Sequence, residues 1–185
     1  MSPSFDFPNP DHITVGVVGE PGARVFYLQV GAAGSVASFK LEKQQAAALA
    51  EYLGSVLADL PEPEVAPLPA PDLVEPVTPE WTVGGIGIAY DEDADRVLLV
   101  VHEVEVMSED EAGESEFGES EFGDDLDPDT PQLDDDGAAA RIRITRPQVA
   151  SLIERCEELV AAGRPLCPFC GRPDGPDGHF CPREN

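Results

Sequence analysis

The segment Ile142-Arg143-Ile144-Thr145-Arg146-Pro147-Gln148 decides the fold, because it ends a strand and begins a helix. Pro147 suits the first turn of a helix, where a backbone N–H has no intrahelical acceptor. An earlier segment, Phe39-Lys40-Leu41-Glu42-Lys43-Gln44-Gln45, has the same pattern. An ungapped alignment of the two segments also matches positions further along each helix, namely Ala47 with Ala150, Leu49 with Leu152 and Glu51 with Glu154. The chain is therefore predicted to contain an internal repeat.

Each half of the chain is predicted to contain three strands followed by a helix. Hairpin loops such as Gly19–Gly22 and Asp91–Asp95 separate apolar runs with strand periodicity. The apolar positions of both helices recur at the helical period. The predicted strands cover residues 12–18, 23–30 and 35–41 in the first half (1–60), and 81–90, 96–106 and 138–145 in the second (80–163). The expected fold class is α+β, with a duplicated strand-strand-strand-helix unit that forms an antiparallel sheet or a barrel-like core with two helices.

Weaker echoes extend the repeat upstream of these segments. Thr14-Val15-Gly16 resembles Thr82-Val83-Gly84, and Arg24-Val25 resembles Arg96-Val97. Gly84-Gly85-Ile86-Gly87 lacks the third glycine of a dinucleotide-binding loop, so a strand irregularity is expected there. The similarities of Thr14–Gly16 to Thr82–Gly84 and of Arg24-Val25 to Arg96-Val97 favour duplication of the whole half.

Two further segments interrupt the repeat. Residues 61–79 contain seven prolines and no glycine, which predicts an extended and fairly stiff linker between the halves. Residues 107–137 contain fourteen acidic residues and no basic residue. Their mutual repulsion and low apolar content predict a disordered insert between the middle and last strands of the second half.

The last segment, residues 164–185, has the spacing of a metal site. Cys167 and Cys170 form a C-x-x-C pair, and His179 and Cys181 follow after a loop rich in proline, aspartate and glycine. Zinc prefers four nitrogen or sulfur ligands in a tetrahedron, so these four residues are predicted to bind a structural zinc ion. The alternatives are a disulfide and a reactive C-x-x-C. No signal peptide opens the chain, so a reducing cytoplasm is expected and a disulfide is disfavoured.

Composition disfavours two classes of partner. The 185 residues have a net charge of −26, which repels nucleic-acid phosphates and anionic lipid surfaces. No apolar run approaches the roughly eighteen residues of a membrane span. Direct nucleic-acid or membrane binding is therefore not expected, and the predicted location is the cytoplasm.

The remaining candidate residues do not form a catalytic constellation. Cys156 lies at the centre of the apolar face of the second helix, which predicts a buried thiol. His12 and His102 lie in predicted strands, and a structural role is expected for each. No catalytic residue is assigned.

The chain resembles an uncharacterised actinobacterial domain-of-unknown-function family over essentially its whole length. The resemblance is carried by the Thr145-Arg146-Pro147-Gln148 helix start and by Leu166-Cys167-Pro168-Phe169-Cys170-Gly171 with Gly178-His179-Phe180-Cys181-Pro182-Arg183. It implies a cytoplasmic protein with no assigned activity. Locally, Cys167–Cys170 looks like the knuckle of zinc ribbons and rubredoxins, but His179-x-Cys181 departs from their second C-x-x-C, which favours zinc over iron.

Three hypotheses about function follow. The leading one is a non-catalytic cytoplasmic binding or adaptor protein for protein partners, with a structural zinc knuckle. The second is a zinc-dependent enzyme whose open site has Cys167, Cys170 and Cys181 as ligands and water in the fourth position. The third is an acidic nucleic-acid mimic that binds a basic protein.

Overall fold

A computed structural model describes residues 2–20, 22–61, 66, 68–104 and 137–162 of the chain. Within them, seven strands and two helices follow one another, which confirms the α+β class. Their bounds are β1 Phe5–Phe7, β2 His12–Val18, β3 Val25–Ala32, β4 Ser35–Leu41, α1 Lys43–Ala58, β5 Pro79–Asp91, β6 Arg96–Glu103, β7 Ala139–Ile144 and α2 Arg146–Ala161. We call residues 12–58 the first half and residues 79–161 the second half. β1 is a strand that the sequence analysis missed.

The strands form one sheet in the order β1-β7-β6-β5-β4-β3-β2. Within each half the three strands are antiparallel neighbours, whereas β4 pairs in parallel with β5, and β1 in parallel with β7. The predicted antiparallel sheet is therefore wrong, because the α1 crossover returns the chain in the direction of β4. The barrel-like alternative is wrong as well, because no ladder joins the edge strands β1 and β2 and the sheet is open.

The open sheet is nevertheless strongly curved. A flat sheet would place its edge strands β1 and β2 six spacings apart, about 29 Å. Only residues 8–11 connect Phe7 to His12, and such a link spans at most about 18 Å. The ring of Phe5 on β1 accordingly contacts the ring of Phe39 on β4 at a centroid distance of 5.5 Å. Curvature brings the two edges together without hydrogen bonds between them.

One hydrophobic core joins both halves. Alternate residues of each strand are buried and form a single cluster with the apolar residues of α1 and α2. Phe39 is fully buried and its ring lies 4.4 Å from that of Trp81 on β5. Cys156 belongs to the cluster and is fully buried, as its position on the helix predicted. We call the strand face that supplies this core the core face and the opposite one the outer face.

The two halves share their pairing register and their helix starts. Leu28 on β3 pairs with Phe39 on β4, and Leu99 on β6 pairs with Ile142 on β7. Since the ungapped alignment matches Phe39 with Ile142, it holds in three dimensions through the last strand and the helix of each half. Duplication as the origin of this correspondence stays a prediction.

The upstream echoes do not follow the same register. Val15 pairs with Leu28 and Ile88 pairs with Leu99, so Val15 corresponds to Ile88 rather than to Val83. A bulge between Val83 and Gly85 confirms the predicted strand irregularity, but it shifts the β5–β6 register by one residue and does not account for this five-residue displacement. Similarly, Phe26 pairs with Leu41 and Val97 with Ile144, so Val97 corresponds to Phe26 rather than to Val25.

The proline-rich segment between the halves, residues 61–78, is called the connector below, and part of it covers the outer face of the first half. Gln29 is 1% exposed on that face, and its side chain is paired with the backbone of Val74. Gln29 Oε1 accepts from the Val74 N–H at 2.7 Å, and Gln29 Nε2 donates to the Val74 carbonyl at 3.0 Å and to Ser38 Oγ at 3.1 Å. A Cβ atom at Gly16 would overlap with the side chain of Leu73, so glycine is needed there for the connector to approach β2.

Two predicted segments lie outside the described residues: the acidic insert at 107–136 and the metal-binding tail at 164–185. The chain between β6 and β7 is described only up to Val104 and again from Gly137. Neither α1 nor α2 is long and apolar enough to cross a lipid bilayer.

Candidate functional site

A groove of about 940 Å³ opens beside the N-terminus of α2. Four separate parts of the chain form its walls: the β1–β2 loop with the start of β2, the connector, the β5–β6 hairpin and the first turns of α2. Its lining consists of Asn9, Asp11, Ile13, Ala66, Leu68, Pro69, Ala70, Pro71, Asp95, Arg96, Thr145, Arg146, Pro147, Gln148 and Ser151. The volume of the groove lies in the range of known ligand pockets, and residues of both halves line it.

An ion pair that lines the groove joins α2 to the β5–β6 hairpin. Arg146 Nη2 donates to Asp95 Oδ2 at 3.0 Å, and Arg146 Nε lies 2.8 Å from Asp95 Oδ1 at an angle outside hydrogen-bond geometry. Tyr90 donates its hydroxyl to Asp95 Oδ1 at 2.7 Å. The hydrogen bonds from Tyr90 and then from Arg146 lower the pKa of the Asp95 carboxyl below its usual value. Asp95 therefore stays an anion that holds Arg146 in place.

The hairpin that carries Asp95 has a tight local geometry. Asp95 has a φ of +50°, in the left-handed region that aspartate tolerates better than most residues. Asp91 Oδ1 accepts from the Ala94 N–H at 2.9 Å, which closes the turn. Arg96 Nη1 donates to the Asp95 carbonyl at 3.1 Å. The predicted hairpin loop thus positions the Asp95 carboxylate, which binds Arg146.

The connector forms the opposite wall and is held along α2. Arg146 Nη1 donates to the carbonyl of Pro61, and Ser151 Oγ donates to the carbonyl of Leu68. Further along, Arg155 Nη2 lies 3.2 Å from Asp72 Oδ1. The surface of α2 therefore already binds an extended, proline-rich segment of its own chain.

Gln148 ties the start of α2 to the loop between β1 and β2. Its Oε1 accepts from the Thr145 N–H at 2.9 Å, while Thr145 Oγ1 accepts from the Gln148 N–H, so the two residues form a capping box. Gln148 Nε2 then donates to the Pro10 carbonyl at 2.9 Å. The glutamine satisfies the helix end and links the second half to the loop that precedes the first half.

Gln45 makes the corresponding contacts at the start of α1. Its Oε1 accepts from the Glu42 N–H at 2.9 Å, and its Nε2 donates to the carbonyls of Val83 at 3.0 Å and Gly84 at 3.2 Å. Gln45 thus binds the bulged part of β5, and Gln148 binds the β1–β2 loop. Each helix cap therefore also holds a segment outside its own half.

Substitution of Gln148 should separate these two roles. Gln148→Ala is expected to lower the free energy of unfolding by about 1–2 kcal/mol, because it removes the cap and the bond to Pro10. Gln148→Glu is expected to lose only about 0.5–1 kcal/mol, because glutamate still accepts from the Thr145 N–H but cannot donate to Pro10. Urea unfolding of both variants measures the difference.

Gln45 provides the matched comparison for this prediction. Gln45→Ala should again cost more than Gln45→Glu, since the same acceptor and donor roles are divided between the same two atoms. An equal loss for alanine and glutamate at either position would show that the capping bond contributes nothing there.

Three potentially reactive side chains of the described residues, Ser151, Cys156 and His12, have structural surroundings. Ser151 Oγ has the carbonyls of Leu68 and Pro147 as alternative acceptors for its single hydroxyl proton and no base beside it among the partners shown. Cys156 lies in the core, and burial raises the pKa of its thiol to about 12. His12 Nε2 is hydrogen-bonded to Gln29 Oε1 at 3.0 Å on the outer face. Ser151 and His12 thus have hydrogen-bond partners, and Cys156 is buried in the core.

The four predicted zinc ligands, Cys167, Cys170, His179 and Cys181, lie outside the described residues. Within residues 2–20, 22–61, 66, 68–104 and 137–162, no group of three or more His, Cys, Asp or Glu side chains could hold a metal ion. The zinc site stays a prediction about the tail.

Comparison with known proteins assigns the chain to a family. The model of the family described as "Protein of unknown function (DUF3090)" matches residues 5–181. The chain belongs to this family. The resemblance to a domain-of-unknown-function family is thereby confirmed, while actinobacterial origin stays a prediction. No curated protein and no solved structure matches the chain.

The DUF3090 match spans both halves and the tail beyond α2. It covers every segment that lines the groove, including Thr145-Arg146-Pro147-Gln148. Those four residues were predicted to begin a helix and carry the resemblance to the family. In the structure they also line the groove.

Proposed function

We propose that this DUF3090 protein is a non-catalytic binding protein whose groove beside α2 accepts an extended, apolar segment of a protein partner. The main support is Leu68, which lies at the groove and is 78% exposed, more than any other large hydrophobic residue of the described chain. Pro69, Ala70 and Pro71 extend this apolar wall. An exposed apolar side chain at the rim of a concavity is typical of interaction sites.

The charge of the chain favours a basic partner. With a net charge of −26, long-range attraction would steer a basic protein towards it and repel anionic surfaces. We place this interaction in the cytoplasm. The tail is proposed to hold a structural zinc ion through Cys167, Cys170, His179 and Cys181.

Filling the groove should abolish partner binding without disturbing the fold. Ala70→Trp places a large side chain in the groove, whereas Ala47→Trp places the same side chain on the exposed surface of α1. Quantitative pull-downs with the wild type and both variants as bait should show at least one partner depleted about tenfold or more by Ala70→Trp alone, as expected when a central contact is lost.

The pull-down also gives a clear negative result. Identical partner lists for the wild type and Ala70→Trp would refute the groove as the binding site. Equal depletion by Ala47→Trp and Ala70→Trp would show that the effect is unspecific. Loss of partners only after removal of the acidic residues 107–136 would assign binding to the insert.

A further inference from the structure

The outer faces of the two halves correspond residue by residue but differ in how they are covered. Gln29 pairs with Ser38 in the first half, and Val100 pairs with Arg141 in the second, at matching positions of the register. In the same way Gly16, which lies beneath Leu73, corresponds to Ala89. The connector buries the first set, whereas the second set is only partly buried by the described residues.

The outer face of the second half combines apolar side chains with a buried, unpaired polar group, as expected of a surface that another segment covers. Ala89, Leu98 and Val100 place apolar side chains there, next to Arg141. Arg141 Nε is buried and has no hydrogen-bond partner among the described residues. A buried guanidinium N–H without an acceptor is costly, so an acceptor outside the described residues is expected to reach it.

A second correspondence indicates which segment this is. The connector follows α1, and Arg146 of the second half holds its Pro61 carbonyl. The chain after α2 begins in the same way, because Arg24 Nη1 of the first half donates to the Ala162 carbonyl at 2.7 Å. Each helix is thus followed by a segment that an arginine of the opposite half holds at its start.

A route from α2 to the second outer face is also open. The connector reaches the first outer face around β2, which is an edge strand. Among the described residues, 85–91 of β5 pair only with β6, because β4 pairs with β5 only from Pro79 to Thr82. This part of β5 therefore leaves a free edge like that of β2. The 23 residues after Ala162 outnumber the fifteen between Ala58 and Val74, so the segment is long enough.

We propose that residues 163–185 of the same chain dock on the outer face of the second half, over Ala89, Val100 and Arg141, as the connector docks on the first half. Backbone carbonyls or Asp174 and Asp177 supply acceptors for Arg141, and Leu166, Phe169 or Phe180 cover the apolar strip. The proposal concerns a different surface from the groove and stands without it.

Photo-cross-linking in the full-length protein tests this docking. p-Benzoylphenylalanine in place of Phe180 keeps an aromatic ring at that position and leaves all four predicted zinc ligands intact. Irradiation followed by peptide mass spectrometry should give intramolecular cross-links to peptides that contain Ala89, Leu98 or Val100. The same probe in place of Val74 should label β2 and β3, and it calibrates the method on the contact that the structure describes.

A surface substitution supplies the second arm of the test. Val100→Glu should reduce the cross-link from position 180 by about tenfold or more, since burial of a valine side chain shifts an equilibrium by at least that factor. Val36→Glu, at an exposed position of β4, should leave the yield unchanged. Retention of the full yield in Val100→Glu would overturn the proposal.

Other cross-linking patterns would also overturn it. They are cross-links from position 180 only between two chains, cross-links only to surfaces away from β5–β7, and labelling of this face by a probe at Phe117 of the insert instead. Zinc content measured on the same samples keeps the metal separate, because a cross-link without zinc would refute the metal site and support docking.

Discussion

Gln29→Leu is expected to lower the free energy of unfolding by about 2–4 kcal/mol and to release the connector from the outer face of the first half. The substitution removes both hydrogen bonds to the backbone of Val74 and the bonds to Ser38 and His12. Each buried polar group left without a partner costs about 1–3 kcal/mol, but Val74 is 49% exposed and water can replace part of what it loses. Urea unfolding measures the stability, and limited proteolysis between residues 68 and 78 measures the release.

The controls separate the Val74 contact from the loss of any glutamine. Gln44→Leu makes the same chemical change at an exposed position of α1 and should alter stability by less than about 0.5 kcal/mol. Gln29→Glu keeps an acceptor for the Val74 N–H but places a charge at a buried position, so it should destabilise as well. Unchanged stability and unchanged proteolysis of Gln29→Leu would show that the connector is held by its other contacts.

The strands and helices could be predicted from local pattern because local physics decides them. β2 and β4 have the predicted bounds, and Pro147 with the capping pair Thr145 and Gln148 begins α2 where the sequence placed the helix start. β1 was missed because three residues between Pro3 and Pro8 carry too little periodicity. β1 forms because it pairs with the edge of β7. This pairing is a tertiary contact, which a local sequence pattern does not reveal.

The course of the connector was not predictable from its own composition. Proline content indicated an extended segment, but it does not say which surface the segment follows. The information lies in Gly16 and Gln29, two residues of β2 and β3 whose roles depend on a neighbour more than forty residues away. A polar Gln29 within an apolar strand was the one signal that a segment with backbone groups to satisfy would cover that face.

The groove was missed for a related reason. Its residues come from four distant segments, and no spacing in the sequence joins Asp95 to Arg146. The upstream similarity between Val15 and Val83 was misleading for the same reason, since the strand pairing makes Val15 correspond to Ile88, five residues further along β5. Sheet curvature and bulges depend on the pairing between strands, so the sequence indicates them only weakly, as at Gly84-Gly85.

Protein purified under reducing conditions is expected to contain about one zinc ion per chain, and Cys167→Ser is expected to abolish its binding. Four ligands in a tetrahedron are the rule for structural zinc, and a C-x-x-C pair contributes two of them. Binding can supply on the order of 10 kcal/mol to ordering a short segment with little core of its own. Inductively coupled plasma mass spectrometry and competition with a chromogenic chelator measure content and affinity.

Two variants make the ligand assignment specific. Cys156→Ser should leave the zinc content unchanged, because Cys156 is fully buried in α2 and its pKa is raised to about 12 by desolvation. His179→Ala should weaken binding by about ten- to a hundredfold or more, because water is a poorer ligand than imidazole. Full zinc affinity in His179→Ala would instead indicate an open site of three thiolates and would favour the zinc-dependent enzyme. Absence of zinc from the reduced wild-type protein would refute both.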